Sequence, residues 1–149
     1  MREIHTEMII DASPERVWHV LTDFAAYPEW NPLIREASGE LVVGKRLRVK
    51  LALGKRTATI KPEVVRVEPN RELAWRGSLP IPGLFRGEHH FEIMRNGDTQ
   101  VSFHHWERFD GLLVGVLGGI LEQTKRAFEQ MNVALERRAT GAAATGSSG

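Results

Sequence analysis

Residues 111–138 read GLLVGVLGGILEQTKRAFEQMNVALERR, and the spacing inside them decides the fold. Leu113, Leu117, Ile120, Thr124, Phe128, Met131 and Leu135 recur every four or three positions, the period of one helix face. Arg126, Glu129, Glu136 and Arg137 fall largely on the other side. The stretch predicts a long amphipathic helix whose stripe must be buried against the rest of the chain. Gly111, Gly115, Gly118 and Gly119 load its start with poor helix formers, at about 1 kcal/mol each. Either close helix-on-sheet packing or a movable gate accounts for them. The uncharged run 111–121 is too short for a membrane span, which needs about 17–25 residues.

Upstream, the period is that of strands. Leu47, Val49, Leu51 and Leu53 alternate with Arg48, Lys50 and Ala52, giving one wet and one apolar face. Residues 57–68 and 71–77 are joined by Glu68-Pro69-Asn70-Arg71, a hairpin connection. SLPIPGLF at 78–85 is a loop by its Pro and Gly content, yet it carries Leu79, Ile81, Leu84 and Phe85, apolar side chains suited to covering something. At the N-terminus Ile4, Thr6, Met8 and Ile10 alternate with His5 and Glu7, a half-buried first strand. In DASPERVWHVL, Ser13 reads as an N-cap and Pro14 as the first helical residue. DFAAYPEWNP (23–32) is too broken for one long helix and reads as a short second helix or turn.

The order is strand, two short helices, about six strands and a long helix. It predicts an α+β domain in which an antiparallel sheet of about seven strands curves around the C-terminal helix. Residues 1–138 form that domain, and 139–149 (ATGAAATGSSG from residue 139) read as a disordered tail.

Residues 88–109, EHHFEIMRNGDTQVSFHHWERF, hold four of the six histidines as two doublets about an Asn-Gly-Asp turn. A two-residue turn would set apolar against polar residues at every rung. A three-residue loop, Asn96-Gly97-Asp98, pairs Arg95 with Thr99, Ile93 with Val101, Phe91 with Phe103 and His89 with His105. His89, His105 and Glu107 then point inward, while His90 and His104 pair on the solvated outer face beside Trp106 and Arg108.

Three ionisable groups among hydrophobes are costly unless they bond one another, water or a ligand. Three readings stand side by side. They form a satisfied polar cluster, they orient a ligand's hydroxyl or carbonyl in an apolar pocket, or they bind a metal as two histidines and a carboxylate. No HExxH helix or further ligand cluster supports the metal, so no metal and no cofactor is expected. Trp30 and Asn31 in YPEWNP either plug the sheet end or stand at a cavity mouth. Trp75 shares a face with Leu73 and belongs to the core or a cavity wall.

The arrangement resembles the START-like helix-grip superfamily, and more narrowly the SRPBCC group of bacterial polyketide cyclase/dehydrase and lipid-transport proteins. Ala12, Pro14, Val17, Trp18, Leu21, Asp23, Tyr27, Pro28, Trp30, Asn31 and Pro32 carry the likeness early. Pro69, Leu73, Trp75, Gly87, His89, Phe91, Glu107, Phe109 and Gly111 carry it later. The resemblance implies a cavity between sheet and helix that holds an apolar or polycyclic small molecule; the alternation alone is equally compatible with a filled core. Trp30, Asn31, Trp75, His89, Phe91, Phe103, His105, Glu107, Leu117 and Phe128 are the expected ligand-binding residues. Binding or carriage of a lipid or aromatic molecule is the expected function. The first alternative is a cyclase or dehydratase, with His89, His105 and Glu107 as catalytic candidates. The second is an interaction module built on His90, His104 and Trp106.

Composition bounds the rest. A net charge of +1, with 20 basic and 19 acidic residues interspersed, argues against a nucleic-acid surface or a polybasic anchor. The absence of cysteine excludes disulfides and thiol nucleophiles. No GxSxG elbow or phosphate loop is present. MREIHTEMII lacks the apolar run of a secretory signal. A cytoplasmic monomer or weak homodimer is expected, with no stable membrane insertion.

Overall fold

The computed structural model describes residues 1–78, 83, 86–111, 114–115 and 118–141. Strand β1 (Arg2–Ile10) leads into helix α1 (Pro14–Thr22), a 3-10 turn at Phe24–Ala26 and the one-turn helix α2 (Tyr27–Trp30). Strands β2 (Ile34–Ser38), β3 (Arg48–Leu53), β4 (Arg56–Ile60), β5 (Glu63–Glu68), β6 (Glu72–Ser78), β7 (Arg86–Arg95) and β8 (Val101–Asp110) follow, and helix α3 (Gly118–Thr140) closes the chain. They form a five-stranded antiparallel sheet in the order β1-β8-β7-β6-β5 and a three-stranded one, β2-β3-β4. Hydrogen bonds from Gly44 N to Val64 O, Val64 N to Lys45 O and Leu47 N to Pro62 O stitch the two together. The expected strand over 57–68 is split at Lys61-Pro62, because proline cannot donate to a ladder. Asn70 takes the left-handed conformation (φ 67°) that the turn before β6 requires.

Local chemistry explains the helices. Ser13 accepts the Arg16 N–H at 3.1 Å, and Pro14 occupies the first turn. The far end of α3 is capped from outside its own segment. Arg16 donates from Nε to the Ala139 carbonyl (3.2 Å) and from Nη2 to the Arg138 carbonyl (3.1 Å), taking up carbonyls that no helical N–H can reach. The core comprises Ile10, Leu21, Tyr27, Phe91, Phe103, Phe128, Met131 and Leu135, all buried, each worth about 1.5–3 kcal/mol of transfer free energy. The Tyr27 hydroxyl donates to the Leu21 carbonyl.

Two expectations are corrected in position. Ile120 is 57% exposed and Leu121 is buried instead. At 100° per residue Ile120 lies about 80° from Phe128 around the axis and Leu121 about 20°, so the buried stripe runs through Leu121, Phe128, Met131, Leu135 and Ala139. The hairpin turn is also displaced by one residue. Asn96 N donates to Gln100 O at 2.9 Å and Asn96 Nδ2 to Gln100 Oε1 at 2.8 Å, leaving Gly97-Asp98-Thr99 as the loop, with Gly97 at φ +87°. The ladder is therefore Ile93 against Phe103, Phe91 against His105 and His89 against Glu107, not His89 against His105. Moving the turn by one residue changes every cross-strand partner by two positions, so each side chain keeps its face.

Candidate functional site: a buried polar relay

Two rows of side chains cross the inner face of the five-stranded sheet. One runs Trp75, His89, Glu107 and Ile4; the next runs Leu73, Phe91, His105 and Thr6. Helix α3 lays Phe128 and Asn132 over them. Phe128 stacks on His105 (ring centroids 4.0 Å apart, 7° between planes) and lies 5.0 Å from His89. Trp75 at 5.4 Å and Phe91 at 4.6 Å complete the aromatic surround of His89.

The polar atoms of these rows form one hydrogen-bonded line. Thr6 donates from Oγ1 to the His105 carbonyl at 2.8 Å, and so accepts the Asn132 Nδ2–H, also at 2.8 Å. Asn132 Oδ1 is thereby an acceptor, and His105 Nδ1, 2.8 Å away, must donate to it. Burial, reinforced by repulsion from His89, pushes the His105 pKa well below the ordinary histidine value, against the opposing effect of the Asn132 bond. A neutral His105 carrying its proton on Nδ1 has a bare Nε2. His89 Nε2, at 2.7 Å, must then donate to it. Every proton is assigned as far as His89 Nδ1, which faces Glu107 Oε1 at 3.4 Å. Nδ1 and the carboxylate are the two places on the line where a proton can still be taken up or handed on.

The two ends of the line differ. His105 and Asn132 are essentially inaccessible, whereas the Glu107 side chain keeps 18% of its surface exposed. Gly87 makes room for it: a Cβ there would stand 2.5 Å from Glu107 Oε2. The inner half bolts α3 to β1 and β8; the outer half presents a carboxylate–imidazole pair. The trio is strung in line, and a 2.7 Å separation of two imidazole nitrogens is a hydrogen bond. Two zinc-bound imidazole nitrogens sit about 3 Å or more apart.

The remaining expected residues divide. Phe91, Phe103 and Phe128 are buried in the core cluster, and Leu117 lies outside the described residues. Asn31 is buried, and its Oδ1 accepts the N–H groups of Leu33 and Ile34, turning the chain into β2. Its Nδ2, like the Trp30 Nε1, is buried without a partner among the described residues. Thr6 and Asn132 were not anticipated. The signal was there: Thr6 is the polar residue among Ile4, Met8 and Ile10, and Asn132 stands one helical turn after Phe128.

Two clefts open elsewhere. One of about 370 Å³ lies between α3 and the small sheet (Leu33, Ala52, Arg126, Ala127), the other of about 270 Å³ beside Phe24 and Lys50. Neither is lined by His89 or Glu107, which sit on the strand ends leading into residues 79–82, 84–85, 112–113 and 116–117, outside the described residues. Among the described residues no helix is long and apolar enough to cross a membrane.

The outer face also departs from expectation. His90 and His104 do not pair, and His90 is not solvated. His90 is 8% exposed, faces Trp106 across the ladder and stacks on its ring at 3.9 Å. His104 sits opposite Glu92 and bonds His5 at 3.0 Å. The shift of the turn reassigned these partners, and the neighbouring side chains closed over His90.

Comparison with known proteins agrees with this architecture. A START superfamily protein from Mycobacterium smegmatis superposes with a TM-score of 0.75 at 19% identity, covering 93% of this chain and 97% of that one. The Zhui aromatase/cyclase from a Streptomyces species gives 0.69 at 18% identity, over 95% and 93%. A hypothetical protein from Helicobacter pylori gives 0.76 at 15%, over 93% and 88%. At these identities the likeness is one of fold. No curated protein sequence matches the chain. The family model described as "Polyketide cyclase / dehydrase and lipid transport" matches residues 1–140. The chain belongs to that family.

Proposed function

We propose that the protein binds a hydrophobic small molecule, aromatic or lipid-like, and orients one hydroxyl or carbonyl of it at the Glu107–His89 pair. The observation that carries this reading is the relay. All its polar groups are satisfied internally except at the Glu107 end, where an aromatic surround meets a partly exposed carboxylate. Apolar walls with a few placed polar groups are how small-molecule sites obtain affinity and orientation together. The orphaned donors of Trp30 and Asn31 are further groups that a polar ligand atom could satisfy. Native mass spectrometry and thermal shift against fatty acids, phospholipids and aromatic polyketides test it. A bound ligand at a hundredfold excess over its Kd stabilises by about 2.7 kcal/mol, and Glu107→Gln weakens polar ligands more than apolar ones. Absence of any retained ligand or shift across those panels refutes the binding role.

A second reading rests on the facing of His89 Nδ1 and Glu107 Oε1, 3.4 Å apart. Because His89 Nε2–H is committed to His105, Nδ1 and the Glu107 carboxyl can only exchange a proton with each other or with a bound molecule. That is the arrangement a general acid–base needs for removing a proton next to a carbonyl, or for returning one to a leaving hydroxyl. On this reading His89→Gln and Glu107→Gln abolish turnover of a cyclisable or dehydratable substrate while ligand affinity stays within about tenfold, 1.4 kcal/mol. Turnover that survives both substitutions refutes the acid–base role and leaves the binding role standing.

A further inference from the structure

The net charge of +1 conceals a segregation. Residues 34–61, which span the small sheet, carry eight basic and two acidic side chains, a net +6 that leaves −5 for the rest of the chain. On the five-stranded sheet, by contrast, Glu7, Glu72 and Glu92 share one row of the outer face. Charge divided in this way turns the small sheet toward any negatively charged surface the protein meets.

The loop between Ser38 and Arg48 adds an apolar tip to that basic sheet. Val42 and Val43 are 49% and 60% exposed, and the backbone holds them out. Lys45 N donates to Val42 O at 2.9 Å, closing a turn whose third residue, Gly44, has φ +93°, a conformation that favours glycine. Gly44 N donates to Val64 O, Val64 N donates to Lys45 O, and Leu41 and Leu47 pack into the core on either side. The valines cannot turn inward without breaking these anchors. Around them Lys45, Arg48 and Lys61 are exposed, and none of the three has an ion pair among the described residues. Arg46 donates to the Lys61 carbonyl at 2.8 Å, which ties that strand end to the loop. Glu40 and Glu63 are the acidic residues at this end, the latter bridged to Arg46. Ser38 and Arg48, paired at the base of the loop, also line the cleft of about 270 Å³, together with Lys50, which Glu36 offsets at 3.7 Å.

We propose that this end of the small sheet docks reversibly on a bilayer surface containing anionic phospholipid. Val42 and Val43 enter the head-group boundary, and Lys45, Arg48 and Lys61 meet lipid phosphates. Apolar area and cations presented together suit such a surface, because the first is taken from water while the second meet its negative potential. A nucleic acid is the poorer fit. Residues 34–61 contain no aromatic side chain on which bases could stack, and exposed valines gain nothing from a phosphate backbone. The surface shares no residue with the Glu107–His89 pair, so it stands or falls independently of the ligand-binding reading.

The test is cosedimentation of the full chain with vesicles of phosphatidylcholine alone and of phosphatidylcholine with about 30% phosphatidylglycerol. The anionic vesicles bind at least about tenfold more tightly, and the difference collapses as salt rises from about 0.05 M to about 0.5 M. Lys45→Gln combined with Arg48→Gln weakens binding to anionic vesicles about tenfold or more, since each basic side chain contributes about fivefold. Val42→Ser combined with Val43→Ser weakens it about threefold or more. Circular dichroism checks that both variants are folded; if the valine pair is not, the charge pair and the salt dependence decide. Absence of binding, equal binding to the two vesicles, or binding that survives either folded double variant overturns the proposal. Tighter binding to a duplex or single-stranded oligonucleotide than to anionic vesicles at the same salt also overturns it, by assigning the basic sheet to nucleic acid.

Discussion

Replacing Asn132 by leucine interrupts the relay at its most buried point with little change in side-chain volume. His105 Nδ1–H loses its acceptor, Asn132 Oδ1 2.8 Å away, inside a site with no accessible surface. An unsatisfied buried donor costs about 1–3 kcal/mol. Thr6 suffers less, because it still donates to the His105 carbonyl. The added apolar contact of leucine recovers part of the loss, so the net destabilisation is about 1–2.5 kcal/mol, or about 3–8 °C in Tm for a domain of this size. His105 has one escape, which is to carry its proton on Nε2. Two N–H groups would then face each other at 2.7 Å unless His89 gave up its own Nε2 proton and took the Nδ1 form toward Glu107. Urea unfolding measures the first effect. Long-range nitrogen–proton NMR of the imidazoles reads the second, with both ring tautomers reversed in the variant. In the double variant with Thr6→Val the costs fall short of additive, because the two residues share a bond. A loss below about 0.5 kcal/mol with unchanged tautomers refutes the proton assignment along the relay.

Acid should weaken the fold through His105. Its folded pKa lies below the unfolded value of about 6.5, so the unfolded chain binds a proton that the folded one refuses; stability is full above pH 6.5 and falls as pH drops below it, by up to about 1.4 kcal/mol per unit. Denaturant midpoints between pH 7.5 and 5.5 show this slope in the original protein and lose it in His105→Phe, which keeps a ring against Phe128. Gly87→Ala places a methyl 2.5 Å from Glu107 Oε2 and forces the carboxylate aside; ligand affinity or turnover drops about tenfold or more while stability changes by less than about 1 kcal/mol, and calorimetry plus urea unfolding separates the two. Ser13→Ala removes the α1 cap and costs about 1 kcal/mol in the same unfolding assay.

The element order was legible because helix and strand periods change cleanly along the chain, and the residues of the family likeness reinforced them. The inner trio was legible for a narrower reason. Strand alternation fixes which way a side chain points, and a turn displaced by one residue leaves that direction intact. Partner identity did not survive the same displacement, so His89 met Glu107 across the ladder and reached His105 only diagonally. His90 shows the other limit. Alternation set it outward, but direction is not exposure, and Trp106 with Glu72 and Glu88 covers it from strands that pattern reading treats separately. Asn132 escaped notice because the helical stripe was drawn through Thr124, Phe128, Met131 and Leu135, although Asn132 stands one turn after Phe128 and bonds the central histidine.

The bonds from Arg16 to the last carbonyls of α3, with that from Asn132 to Thr6, join residues separated by more than 120 positions. Strand β1 likewise waits for β8 before it has any neighbour in its sheet. During synthesis the amino-terminal strand and helix therefore leave the ribosome with unpaired edges and an open apolar surface. The strand gains its neighbour with β8, and the apolar surface is covered when α3 follows. Such a chain closes like a buckle rather than growing like a zipper: its closure is slow and nearly all-or-none. A nascent chain stalled before residue 132 would need a chaperone's protection.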